Sequence, residues 1–278
     1  MPWHVRTAAL LGLDAVDRLA RARVCVAGLG AVGSYAVEAL ARAGVGAFAL
    51  VDFDVVRESN LNRQLLALRS TLGQSKAELA AARVADINPE ARVEVWTRFI
   101  HADALDDILS PRPDLVLDCI DSLNPKVELL AGCLTRALPA LSSMGAANRL
   151  DPDRVRSGDL FASEGCPLAR FVRKRLRRRG FAEGVWCVYS DEPPAGPARA
   201  PAPGSDESRQ SPGRLIRENV EEESFRRGRD RPVLGSLPTL TGIFGLRMAH
   251  EAIRRLAAPP HPGAAARSPL KKNPGESR

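Results

Sequence analysis

The chain of 278 residues is 45% hydrophobic and 26% charged, and its 40 Lys and Arg outnumber 33 Asp and Glu for a net charge of +7. That apolar content can fill one large core, so a single α/β unit accounts for the length without a second domain. The longest apolar stretch, Leu234 to Leu246, carries Pro238 and is too short to cross a bilayer, and an aromatic fraction of 5% is too low for a broad base-stacking platform.

The opening run Ala8 to Leu11 soon meets Asp14 and lacks the pattern of a secretory leader, so a cytoplasmic location is expected. A short helix is predicted from Asp14 to Ala20. Val24 to Ala27 then reads as an apolar strand entering a helix through Gly28-x-Gly30-x-x-Gly33. These glycines sit where the backbone turns tightly and can approach phosphate oxygens, although close helix–strand packing would also call for them. The helix ends at Gly44, with Glu38 and Arg42 spaced as an i,i+4 pair. Ala49 to Asp52 gives a second strand whose final carboxylate lies 19 residues past Gly33, where a Rossmann-type unit places an acid on a ribose hydroxyl.

The next segment departs from a dehydrogenase. Phe53 to Gln64 is polar and loop-like, carrying Asp54, Asn60, Asn62 and Arg63, with the asparagines also readable as turn formers. Gly73 to Lys76 opens a helix whose Ala80, Val84 and Ile87 share one face and which stops at Asn88-Pro89. Arg63 and Lys76 can meet triphosphate oxygens, since a cation at a helix start opposes the helix dipole and invites an anionic partner. Leu115 to Asp121 is a further strand, and its closing acid, Asp121, can hold a phosphate-bound cation.

A helix from about Asn124 to Ala137 follows, so strands and helices alternate through residue 145, the signature of a mainly parallel sheet with flanking helices. Beyond it lie a C-terminal extension with further short strands, a basic helix over 167–179 and a last helix from about Leu240 to Leu256. Within the basic helix Leu168, Phe171, Val172 and Leu176 form an apolar stripe, while Arg170, Arg173, Lys174 and Arg177 share another face. A solvated face is the plain reading of such a run, and the net charge of +7 adds attraction to RNA phosphates. Residues 191–213, rich in proline, are expected to form a flexible linker or lid, and 258–278 a disordered tail.

Cysteines stand at 25, 119, 133, 166 and 187 with no Cys-x-x-Cys pair, so no zinc is expected. Cys25 and Cys119 read as small buried hydrophobes. Cys166 and Cys187 are the two candidates for a nucleophile, but neither has a neighbouring histidine, and a structural role is expected for both.

Taken together, Gly28-x-Gly30-x-x-Gly33, Asp52-x-Asp54, Ser59-Asn60-x-Asn62-Arg63-Gln64, Lys76 and Asp121 resemble the ThiF/MoeB/HesA group, relatives of ubiquitin-activating enzymes that adenylate a carboxylate. Arg6-Thr7, Ser143 to Asn148, Asp151-Pro152, Cys166 to Ala169 and Val188 to Ser190 look closest to one branch of it, the tRNA threonylcarbamoyladenosine dehydratases. The resemblance implies a Rossmann-like, ThiF-type ATP-binding domain over 1–257 that uses ATP and Mg2+. It places Asp52 on the ribose, the glycine loop and Lys76 on the phosphates, Arg63 on charge developing at the α-phosphorus and Asp121 on magnesium. Asp54, Asn60 and Asn62 complete the nucleotide site, and Arg63, Lys76 and Asp121 are the catalytic set. It further implies a homodimer and a tRNA substrate met by Arg170, Arg173, Lys174 and Arg177. A rival within the group activates the tail of a ubiquitin-like sulfur carrier, which would bring a sulfur-transfer protein partner and a working cysteine. The absence of paired zinc cysteines and the basic helix point away from it. One departure stands out: of the family's Arg-x-x-Arg near the start, Arg6 fits the second position while Trp3 occupies the first.

Overall fold

A computed structural model describes residues 3–195 and 234–259. The expected linker and tail therefore fall, apart from 191–195 and 258–259, outside the described residues. The chain opens with helices α1 (Val5–Leu11) and α2 (Leu13–Arg21). There follow β1 (Arg23–Ala27), α3 (Gly33–Ala43), β2 (Ala47–Val51), α4 (Lys76–Ile87), β3 (Arg92–Trp96), α5 (Leu105–Ile108), β4 (Leu115–Asp118), α6 (Leu123–Thr135) and β5 (Ala140–Ser143). The last described elements are β6 (Val155–Asp159), α7 (Pro167–Arg177), β7 (Val185–Ser190) and a long helix, α8 (Pro238–Ala257).

The strands form one seven-stranded sheet in the order β3-β2-β1-β4-β5-β7-β6. All neighbours run parallel except β6, which is antiparallel to β7. The order reverses between β1 and β4, and the crevice past their carboxyl ends is where such sheets bind ligands. β1 and β4 earn their central place by composition: Val24, Cys25, Val26, Leu115, Val116 and Leu117 are buried on both faces, as a parallel strand covered by helices requires.

One face is covered by α2, α3, α4 and α8, through Leu19, Val37, Leu40, Val84, Phe244 and Met248. The other is covered by α5, α6 and α7, through Ile108, Leu129, Leu130, Val172 and Leu176. α3 stops where predicted, because Gly44 takes a left-handed φ of 94° and its amide caps Leu40 and Ala41. Glu38 pairs with Arg42, as expected, and also with Arg83 of α4.

Three features differ from the sequence reading. α1 was not anticipated; it buries none of its residues, so no apolar face marks it. β4 ends at Asp118 rather than Asp121, because the Asp118 carboxylate accepts the Ile120 amide at 3.1 Å and turns the chain. On α7 the core residues are Ala169, Val172 and Leu176, while Phe171 is 46% exposed.

α8 approaches α3 closely through Gly245. A Cβ there would stand 2.4 Å from the Val32 carbonyl oxygen and 2.8 Å from Tyr35 Cβ. Gly245→Ala should therefore lower stability by roughly 1–3 kcal/mol, the overpacking cost outweighing the gain of about 1 kcal/mol in helix propensity. A lower urea unfolding midpoint with an unchanged slope is the expected result.

Candidate nucleotide-binding and catalytic site

The glycine loop begins at Gly28, with a φ of 86° and its amide bonded to the Val51 carbonyl. A Cβ at Gly28 would meet the Cys119 carbonyl oxygen at 2.8 Å, and one at Gly33 would lie 1.8 Å from the Gly28 oxygen. Packing against the loop after β4 thus fixes Gly28, and the tight turn of the glycine loop on itself fixes Gly33. Gly30 faces Gln64, whose Nε2 would be 3.5 Å from an added Cβ.

Asp52 follows β2 directly. One carboxylate oxygen accepts the Leu29 amide at 2.7 Å and the other the Asp54 amide at 2.9 Å, so Asp52 ties the glycine loop to the β2 loop. Its oxygens retain lone pairs for a further donor. Burial raises its pKa, and the positive charge of Lys76 opposes that rise. Lys76, at the first turn of α4, is buried with its Nζ 3.2 Å from Asp54. Asn60 is buried and accepts the Arg57 amide at 3.1 Å, so it forms a turn. Asn62 donates to the Ser236 carbonyl at 3.2 Å, and Arg63 donates from Nη1 to Ser59 O and Asn62 Oδ1, each at 2.8 Å.

Asp121 is exposed in the loop after β4, accepting the Ser122 hydroxyl at 3.2 Å. The sequence placed the second acid there but overlooked the one beneath it. Asp118 is fully buried and pairs with Lys126 of α6, also fully buried, at 2.6 Å. The ammonium has three protons and three acceptors: Asp118 Oδ2, Ser142 Oγ at 3.3 Å and the Ser143 carbonyl at 2.9 Å. Ser142 in turn donates to Asp118 at 2.6 Å. Burial pushes the Asp118 carboxyl up, while Lys126 is the strongest influence pulling it down. A lysine eight residues past an acid is no recognisable motif, so nothing in the sequence marked this pair. Another residue missed is Arg149, buried after β5, whose Nε and Nη1 have no hydrogen-bond partner among the described residues.

The five cysteines are free thiols. Burial pushes Cys25, Cys119 and Cys187 to about 12 and also raises Cys133. Cys166 is buried at the N-cap of α7 and makes no side-chain capping bond. Among the described residues no group of three or more His, Cys, Asp and Glu could hold a metal ion, and no helix is long and apolar enough to cross a membrane.

Of the basic set, Arg170, Lys174 and Arg177 are exposed, but Arg173 is not part of an outer face. Its Nη1 donates to Ser163 O and Oγ, both at 2.6 Å, holding the turn before α7. That geometry sets Arg173 apart from the three exposed members of the set.

A glycine loop, an acid after β2 and a lysine at a helix start, all along the carboxyl edge beside the β1–β4 switch, define a Rossmann-like nucleotide-binding protein. The ThiF family matches residues 4–273, and the chain belongs to it. The tRNA threonylcarbamoyladenosine dehydratase of Bacillus subtilis (strain 168) is 44% identical over 184 residues, 66% of this chain and 72% of that protein. That of Escherichia coli (strain K12) is 36% identical over 266 residues, 92% of this chain and 95% of that one. The crystal structure of the E. coli enzyme TcdA in complex with ATP superposes with a TM-score of 0.75 at 34% identity, covering 91% of this chain and 92% of that one.

Replacing Lys126 by Met leaves Asp118 as an uncompensated buried acid and should cost about 3–5 kcal/mol. Adding Asp118→Leu should recover much of that loss in chemical denaturation, because the pair is then removed as a unit.

Proposed function

We propose that the protein is an ATP-dependent tRNA threonylcarbamoyladenosine dehydratase, which adenylates the threonylcarbamoyl carboxylate of an adenosine beside the anticodon and cyclises it. The observation that carries this reading is the cluster at the β1–β4 crevice: the glycine loop over 28–33, Asp52 tied to that loop at 2.7 Å and Lys76 at the start of α4. It is supported by the likeness, over nearly the full chain, to dehydratases and to an ATP-bound structure of one.

The glycine loop and Lys76 would cradle the phosphates, and Asp52 the ribose, with Asp54, Asn60 and Asn62 bracing the walls. Arg63 lies on a half-exposed turn, where its guanidinium can stabilise charge as the carboxylate oxygen attacks the α-phosphorus and pyrophosphate leaves. An exposed single carboxylate, Asp121, suits magnesium, which takes one or two protein acids and completes its shell with phosphates and water. When bound, that ion neutralises phosphate charge. The second step needs no enzyme thiol. An oxygen of the tethered carbamoyl unit attacks the acyl carbon, AMP departs with one carboxylate oxygen, and proximity supplies several kcal/mol of the barrier reduction. We further infer a single domain over 1–257, a homodimer and a cytoplasmic location.

Incubation with ATP, magnesium and tRNA carrying the modification should yield a nucleoside lighter by one water in mass spectrometry. Arg63→Ala and Lys76→Ala should each slow AMP formation about 100-fold or more, whereas Cys166→Ser and Cys187→Ser should preserve ring closure. AMP formation undiminished in the first pair would refute the site assignment.

A further inference from the structure

Residues 170–179 carry seven cations, and the structure divides them. Three are spent within the protein: Arg173 on Ser163, Arg175 on Asn124 of α6 and Arg179 on Glu128 of the same helix. Arg170, Lys174, Arg177 and Arg178 are exposed, and their side chains make no hydrogen bond or ion pair among the described residues, although the Arg177 guanidinium stands 5.8 Å from the Phe161 ring centroid. At 3.6 residues per turn, Arg177, Arg170, Lys174, Arg178 and Phe171 follow one another over a contiguous arc of roughly 120°, opposite the buried Ala169, Val172 and Leu176.

Phe171 is the odd member of that arc. It is 46% exposed, and the Arg170 guanidinium lies 5.3 Å from its ring centroid. Isolated exposed hydrophobics are common and need no explanation. This one is distinguished by its position. Arg175 meets Asn124 and Arg179 meets Glu128, an equal step of four residues on both helices, so α7 runs alongside α6 in the same direction. Phe171, one turn before Arg175, therefore stands about 6 Å further toward the carboxyl edge of the sheet than Asn124. Asn124 is itself three residues past Asp121. The ring thus lies toward the same edge of the sheet as the Asp121 loop, on the outer side of α7, and Lys174, Arg177 and Arg178 trail away from that edge.

The geometry points to α7 as a cradle for single-stranded RNA, in which Phe171, backed by Arg170, stacks an unpaired base next to the target nucleoside while Lys174, Arg177 and Arg178 hold backbone phosphates. The assignment rests on the tRNA-directed function proposed above. A nucleoside beside an anticodon lies in a loop, where recognition runs through splayed bases and aromatic or guanidinium planes rather than through a groove. Base–aromatic stacking gives affinity without salt dependence, and phosphate contacts give salt dependence without sequence information.

Fluorescence anisotropy with an unmodified anticodon stem-loop RNA and a fully paired RNA of equal length, over a series of salt concentrations, separates these contributions. Phe171→Ala should weaken the stem-loop complex about tenfold, leave its salt slope unchanged and spare the paired RNA. Phe171→Trp should restore binding, and Lys174→Gln should flatten the salt slope by about 0.7. An unchanged thermal unfolding midpoint for Phe171→Ala would show that the loss is not one of folding. Equal stem-loop affinity for wild type and Phe171→Ala, or an equal loss on paired RNA, would overturn the stacking assignment alone. A wild-type protein that binds neither RNA would overturn it together with the tRNA-directed function.

Discussion

The crevice depends on a buried ion pair. Lys126 and Asp118 are both withdrawn from water where β4, β5 and α6 meet, directly beneath the loop that carries Asp121. Burying two charges costs several kcal/mol each, and their attraction repays this only when every remaining donor and acceptor is matched. Here the match is complete for the ammonium, with acceptors on Asp118, Ser142 and Ser143. Such a pair adds little net stability compared with a hydrophobic substitute; its effect is to restrict the arrangements available to its surroundings. Asp118 turns the chain at Ile120, and the resulting loop puts the Cys119 carbonyl against Gly28. The glycine loop, the Asp121 loop and the end of β5 are thereby joined through one polar knot.

Around that knot the charges are disposed for handling an anion. Asp52 spends its carboxylate on two loop amides, which orients the glycine loop and leaves lone pairs for a further donor. Lys76 is held beside Asp54, a buried cation with a positioned partner rather than a mobile surface charge. The cysteines take no part in this disposition: burial keeps four of them protonated near neutral pH. An intramolecular second step fits such a site, because tethering does what a nucleophilic thiol would otherwise do.

Much of this could be read from the residues in order. The glycine spacing, the acid following β2, the stop at Gly44 and the lysine opening α4 are local signals, each fixed by a few neighbouring positions. What escaped depended on distant partners. Lys126 lies on a helix whose polarity is unremarkable, and only the fold brings Ser142 and Asp118 to it. Arg173 and Phe171 exchanged their expected places because helical periodicity locates a face but cannot tell whether a cation on it turns inward to cap a preceding turn. Asp121 read as a strand end because apolar Cys119 and Ile120 continue the run of β4, whereas the Asp118 carboxylate turns the chain at Ile120.

The central claim is that a carboxylate oxygen attacks the α-phosphorus of ATP in this crevice. The direct measurement uses modified tRNA whose threonylcarbamoyl carboxylate carries oxygen-18, followed by mass spectrometry of the nucleotide products. Adenylation predicts AMP bearing one heavy oxygen for each nucleoside cyclised. Unlabelled AMP, or ADP with the label in released phosphate, would contradict it.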